Sequence, residues 1–99
     1  MDLAEVTQRV QTALAGGGFD KKVKFDFGST GKLFIDGPSS QVSNEDGAAD
    51  ATVVVDFEDF KSIAQGSLDP MMAFMSGKLK VMGDMAVAMK LQTLFSKLR

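Results

Sequence analysis

One domain built from both helices and strands is what the sequence predicts, and three patterns predict it. Segments with apolar residues every three or four positions, at 2 to 15 and 84 to 98, coexist with period-two or β-branched segments at 22 to 27, 32 to 36 and 51 to 55. Glycine, proline or aspartate stands at nearly every junction between them. The 99 residues, 44% hydrophobic and 24% charged, suit a single core, so residues 1–99 read as one globular unit.

The first helix is predicted over 2 to 15, where Leu3, Val6, Val10, Ala13 and Leu14 share one face. Gly16-Gly17-Gly18 ends it; no G-x-x-x-x-G-K-[ST] follows, so a phosphate loop is not formed. Lys22 to Phe27 alternates charged and apolar side chains, placing Val23, Phe25 and Phe27 inward. Gly28 to Lys32 turns the chain into a second strand, Lys32 to Asp36, with Leu33 and Ile35 on one face and Phe34 on the other. After the turn at Gly37-Pro38, residues 41 to 44 form a short polar edge strand. The acidic loop from Asn44 to Asp50 lacks the ligand spacing of a calcium loop. Ala51 to Val55 is nearly continuous in β-branched residues, as expected of an interior strand.

Asp56 then caps a helix that carries Phe60, Ile63 and Ala64 on one face and stops at Gly66. Asp69 and Pro70 start another, which runs to Ser76 and stops at Gly77. Lys78 to Met82 is a short strand turned by Gly83. Asp84 caps the last helix, which has two apolar stripes: Val87, Leu91, Leu94, Phe95 and Leu98 on one side, Met85, Ala88, Met89 and Gln92 on the other. One packing partner accounts for one stripe. The second is buried in a sandwich or faces a cavity.

The composition closes off most chemistry. With no cysteine there is no disulfide, thiolate ligand or thiol nucleophile, and with no histidine the commonest general base and metal ligand are missing. No pair of Asp or Glu stands at a recognisable catalytic spacing, so the expectation is a non-enzymatic protein without cofactor or metal. The net charge of −2 argues against nucleic acid as a partner. The charge is uneven: from Lys78 onward five basic residues face one acidic, whereas six basic face twelve acidic before it. That basic end is either ordinary solvated surface or a region suited to acidic lipid surfaces. No apolar run approaches the ~20 residues of a membrane span, and the start Met-Asp-Leu-Ala-Glu is acidic, so a cytoplasmic location is expected.

What distinguishes the chain is methionine. Apart from Met1, all its methionines, Met71, Met72, Met75, Met82, Met85 and Met89, fall between Gly66 and Leu94. Unbranched and polarizable, they either fill an irregular core or line an apolar surface that accepts varied shapes. Short elements joined by glycines favour the second use, and an interior without tryptophan or tyrosine suits an alkyl chain.

The run Gly-Ser-Leu-Asp-Pro-Met-Met-Ala-Phe-Met-Ser-Gly-Lys-Leu-Lys-Val-Met-Gly-Asp-Met, residues 66 to 85, continues into Ala88-Met89-Lys90-Leu91. With the preceding Ala49 to Val55 and Asp56-Phe57, it closely resembles the sterol carrier protein type-2 domain family, in the form of a stand-alone bacterial-type member. The resemblance spans about residues 48 to 94. It implies an α+β fold: a five-stranded, mostly antiparallel sheet with helices covering one face and an apolar tunnel between the layers. It also implies non-catalytic binding or transfer of a long-chain lipid, a fatty acid, fatty acyl-CoA or sterol, with transient contact to a membrane or a lipid enzyme. A role as an accessory or scaffold module for a lipid or isoprenoid-quinone enzyme is the alternative. Eukaryotic members commonly end in a peroxisomal tripeptide; here Ser96-Lys97-Leu98 is followed by Arg99, which keeps the expected location cytoplasmic. The residues expected to touch lipid are Phe25, Phe27, Val53 and Val55 on a sheet wall, and Met71, Met72, Phe74, Met75, Met82, Met85, Met89 and Phe95 on a mobile side. Gln92 is the expected polar contact. Oligomeric state is left open.

Overall fold

A computed structural model describes residues 2–15 and 20–98; in the last helix the side chains at 88, 92, 93 and 95–98 lie outside the description, as does the triple glycine expected to end the first helix. The order is α1 (Leu3–Ala15), β1 (Lys22–Asp26), β2 (Lys32–Asp36), β3 (Gln41–Ser43), β4 (Ala51–Val55), α2 (Phe57–Ala64), α3 (Pro70–Met75), β5 (Leu79–Gly83) and α4 (Met85–Leu98). The fold is α+β, as expected.

The five strands form one sheet in the order β3-β2-β1-β4-β5. Three neighbouring pairs are antiparallel and β1 with β4 is parallel. Register follows the alternation read from the sequence. Val23 pairs with Ile35 and Ala51, Phe25 with Leu33 and Val53, and Val55 with Leu79, so one face of the sheet is apolar throughout. Phe27 lies just beyond β1, where Gly28 to Thr30 form a single 3-10 turn closed by the Gly31 N–H donating to the Gly28 carbonyl at 3.2 Å and bracketed by the Phe27 N–H donating to the Gly31 carbonyl at 2.9 Å, yet its ring remains buried.

The apolar face is covered by helices. Val6, Val10, Ala13 and Leu14 of α1, Phe60, Ile63 and Ala64 of α2, and Val87, Leu91 and Leu94 of α4 join the sheet residues in one core. No polar or charged side chain is buried among the described residues, so the side chains of the interior are apolar throughout. The Gln11 carboxamide ties α1 to the sheet edge, donating to the Ser40 carbonyl and accepting the Val42 N–H, each at 2.9 Å.

The opposite face carries Lys22, Lys24, Asp26, Lys32, Phe34 and Asp36, with Lys22 opposite Asp36 and Asp26 opposite Lys32. Because β3 and β4 are separated by β2 and β1, the chain from 44 to 50 crosses this face. Gly47 lies against the Phe34 ring, and Lys24 Nζ donates to Asp46 Oδ1 at 2.7 Å. The acidic loop is therefore a structural crossover: Asp46 holds Lys24, and the Asp50 carboxylate accepts the Lys22 N–H.

The Lys24 hydrogen bond holds the Asp46 carboxyl below its ordinary value of 3.8. Its folded pKa is depressed, so its stabilising contribution is present above the unfolded value and is lost as pH falls through the folded one. Wild type minus Asp46→Asn, compared by urea unfolding between neutral pH and the acid range, is expected to show a stability difference that holds at neutral pH, begins to shrink as pH falls through the ordinary carboxylate value and is lost below the folded one. A difference that is flat with pH would remove Asp46 from the acid response.

Candidate apolar functional site

Two successive helices end in the same way, and this shapes the site. Gly66 (φ 84) and Gly77 (φ 82) are left-handed. Behind them the N–H of Ser67 reaches the Ser62 carbonyl and that of Lys78 reaches the Ala73 carbonyl, both at 2.9 Å, while Gly66 and Gly77 bond back to Ile63 and Phe74. This double-bonded glycine stop satisfies the last carbonyls of each helix and reverses the chain abruptly. The start of α3 is also fixed, with Asp69 Oδ1 accepting the Met71 N–H at 2.8 Å and Pro70 in the first turn. Asp84 does the same for α4, accepting the Ala86 N–H at 2.9 Å. Asp56, expected as a side-chain cap, stands at the N-cap of α2 in extended backbone but makes no such bond.

So short an α3 offers little surface to the core, and only Ala73 of it is buried. Met71, Met72, Phe74 and Met75 are exposed, Met75 by 76%. On α4, Val87, Leu91 and Leu94 follow the i, i+4, i+7 spacing into the core, which turns Met85 and Met89 to the other side, 47% and 67% exposed. Both α3 and α4 pack on β5, so these methionines flank one edge strand. Every large apolar side chain exposed among the described residues, Met71, Met72, Phe74, Met75, Met82, Met85 and Met89, is one that the sequence marks for lipid contact.

The expected set is nevertheless divided by the fold. Phe25, Phe27, Val53 and Val55 are buried, because Phe60 of α2 fills the space above the two phenylalanines, its ring 5.1 Å from that of Phe25 and 5.0 Å from that of Phe27. Phe57 adds an edge-on contact to Phe27 at 5.2 Å. Met82 pairs with Thr52 and so points, with Lys80, to the face opposite the helices. It is not brought together with the methionines of α3 and α4. Gln92 and Phe95 lie on α4, their side chains outside the described residues. Leu68 and Val81, which sequence reasoning does not single out for lipid contact, are partly buried against the core beside α3 and β5. The period-two pattern of β5 was the available signal for Val81.

Polar groups near this wall are mostly cationic. Lys78 and Lys80 are exposed, and Lys90 lies 3.6 Å from Asp20, both partners exposed. No acidic residue occurs from Pro70 to Gly83.

Fold and surface together define an α+β domain, one sheet face covered by helices, whose distinguishing chemistry is apolar contact. The chain belongs to the SCP-2 sterol transfer family, whose model matches residues 2–96. It is 39% identical over 83 residues to human (Homo sapiens) sterol carrier protein 2, which covers 80% of this chain but only 15% of the human protein. It is 45% identical over 51 residues to hydroxysteroid dehydrogenase-like protein 2 of Danio rerio, covering 52% of this chain and 12% of that protein. The chain thus spans a small part of these relatives. Among solved structures it is similar to sterol carrier protein 2 of Aedes aegypti in complex with palmitate, with a TM-score of 0.84, 21% identity and full coverage of both chains. It is also similar to the ubiquinone synthesis protein UbiJ-SCP2, with a TM-score of 0.69 and 20% identity over 97% of this chain and 94% of that one. Among the described residues no helix is long and apolar enough to cross a membrane.

Proposed function

We propose that this chain binds a long-chain lipid, a fatty acid or fatty acyl-CoA, reversibly and without catalysis. The acyl chain lies in an apolar channel walled by Met71, Met72, Phe74, Met75, Met85 and Met89, with the solid core around Phe25, Phe27, Val53 and Val55 as its rigid backing. The observation that carries the reading is that, Met82 on the far face of the sheet apart, the exposed large apolar side chains of the described residues all belong to the methionine-rich α3 and α4. Exposed apolar surface concentrated in this way marks a binding site, and thioether side chains repack around differing chains at small cost. A palmitate-bound relative of the same fold supports an acyl ligand.

The energetics suffice without polar recognition. About fifteen buried methylenes yield ~12 kcal/mol gross at ~0.8 each, and immobilisation and ordering remove much of that. Micromolar affinity is within what remains.

The protein purified from cells is expected to release fatty acid on solvent extraction, seen by mass spectrometry, and a fluorescent fatty acid on the protein is expected to be displaced by palmitate. Dilute peroxide supplies a local readout, because it transfers oxygen to exposed thioethers and gives sulfoxide and water. Met72, Met75 and Met89 are expected to oxidise first and to be slowed by palmitate. Absence of binding at every chain length, with oxidation rates indifferent to fatty acid, overturns the reading. A second reading makes the same wall the seat of a lipid or isoprenoid-quinone enzyme, prompted by the likeness to the ubiquinone synthesis protein. Capture of such an enzyme by a chain that carries no extractable lipid would favour it.

A further inference from the structure

We propose that sulfoxidation of Met72, Met75 and Met89 by peroxides is a reversible switch that empties the acyl site. The inference rests on the lipid-binding reading and adds a covalent modification that regulates the same wall.

Three observations converge on these thioethers. The first is their chemical isolation. The chain holds no cysteine, histidine, tryptophan or tyrosine, so methionine sulfur is the one group in it that peroxide oxidises readily. The second is where that sulfur lies. The core among the described residues consists of Val, Leu, Ile, Phe and Ala, while all six methionines from Met71 to Met89 are exposed. Oxygen added to a core methionine disrupts packing; here the core has no sulfur to oxidise, so modification leaves the fold standing. The third is the arrangement on α3 and α4. Met75, Met89 and Met72 are the most open thioethers of the wall, and Met82 on the far face of the sheet is nearly as open, 57% against 62% for Met72. Equal reactivity on two faces gives the protein an internal control.

The chemistry balances with a peroxide and an external thiol. The sulfur lone pair attacks the outer oxygen, the O–O bond breaks, an S–O bond forms, and the peroxide leaves as water, or as an alcohol from an organic hydroperoxide. Sulfur loses two electrons and the peroxide gains them. In reversal two thiols of the reductant return two electrons, forming a disulfide and releasing the oxygen as water. The sulfoxide is strongly polar, and an alkyl chain laid over it offers no hydrogen-bond donor in place of the water removed. Occupancy and modification therefore oppose each other. Bound lipid covers the sulfurs, and oxidised sulfurs disfavour lipid, so peroxide captures the empty form and keeps it empty until it is reduced.

Displacement of a fluorescent fatty acid by palmitate tests the proposal on the full chain. It is measured before peroxide, after a limited dose, and after treatment with a dithiol and the two methionine sulfoxide reductases, one for each sulfoxide epimer. Tandem mass spectrometry locates the added oxygens. Affinity for palmitate is expected to fall ~100-fold on oxidation, roughly fivefold for each of the three thioethers, and to return on reduction. Circular dichroism and melting temperature are expected to stay unchanged throughout. Met72→Leu with Met75→Leu and Met89→Leu is expected to show one affinity before and after the same dose, whatever its own value. Met82→Leu is expected to show the full wild-type loss. Met72→Gln with Met75→Gln and Met89→Gln, polar without any oxidant, is expected to bind as weakly as the oxidised protein.

A loss that follows Met82 and not the wall, a loss accompanied by a lower melting temperature, or a loss that the reductases do not reverse would each overturn the switch. Palmitate bound equally by reduced and oxidised protein overturns it too, and leaves the lipid-binding reading in place. If the reduced protein binds no fatty acid, both fall together.

Discussion

Gly83→Ala is expected to lower the melting temperature by about 15 °C, and Gly77→Ala by only about 5 °C, at ~4–8 °C per kcal/mol for a domain of this size. Both glycines are left-handed, with φ of +96° and +82°, so both substitutions carry the backbone cost of placing a Cβ there. Their surroundings differ. A Cβ at Gly77 meets nothing within 4 Å, whereas at Gly83 it would lie 2.6 Å from the Asp50 carbonyl oxygen and 3.2 Å from the Ala51 Cα. Both atoms are backbone, so relief requires moving β4 and β5 apart. The same Asp50 carbonyl accepts the Asp84 N–H at 2.9 Å, the bond that sets the start of α4. Strain and clash together amount to about 3 kcal/mol at Gly83, against about 1 kcal/mol at Gly77. Thermal and urea unfolding of the two variants check the difference. Equal losses would show that conformation alone, and not close approach of the strands, sets the cost.

The same junction shows what local sequence encodes. Asp84 before an apolar periodic run and glycine at each helix stop are interactions between residues at most six apart, and α3, β5 and the start of α4 were legible from them to within a residue or so. The parallel pairing of β1 with β4 is different. It joins Val23 to Ala51 across 28 positions, and nothing in either segment names its partner. The crossover at 44 to 50 is likewise a product of strand order, which is why its acidic residues resemble a ligand set in sequence and act as ties to Lys22 and Lys24 in the fold.

The candidate site was legible to the same limit. Periodicity finds two stripes on α4 but does not say which one faces the core. That is settled by α1, α2 and the sheet, which enclose Val87, Leu91 and Leu94 and leave Met85 and Met89 outside. Burial of Phe25 beneath Phe60, and placement of Met82 beyond the sheet, also depend on elements distant in sequence. Residue type marked the apolar surface; tertiary packing divided it between core and wall.

Met85→Asp with Met89→Asp is expected to weaken fatty-acid binding by ~30-fold, about 2 kcal/mol, with little change in melting temperature. The figure follows from apolar burial. A methionine covered fully on binding contributes about 1.5–3 kcal/mol, and roughly half of that remains for one already partly covered by the protein. In the unliganded protein the two side chains are 47% and 67% exposed, so replacing them removes little packing. Leu91→Ala, one turn away on the buried stripe, is the inverse case: a loss of about 2–5 kcal/mol in stability, with acyl affinity retained in the fraction that stays folded. Displacement titrations and thermal melts on the two variants separate wall from core on a single helix. Met82→Asp sharpens the comparison, because strand pairing sets that side chain on the far face of the sheet. Its acyl affinity is expected to match the wild type. If it falls as far as that of the α4 variant, the lipid path wraps the β5 edge and the wall extends to both faces. If neither variant weakens binding while palmitate still displaces the probe, the acyl chain lies inside the core and the exposed methionines of α4 are not its wall.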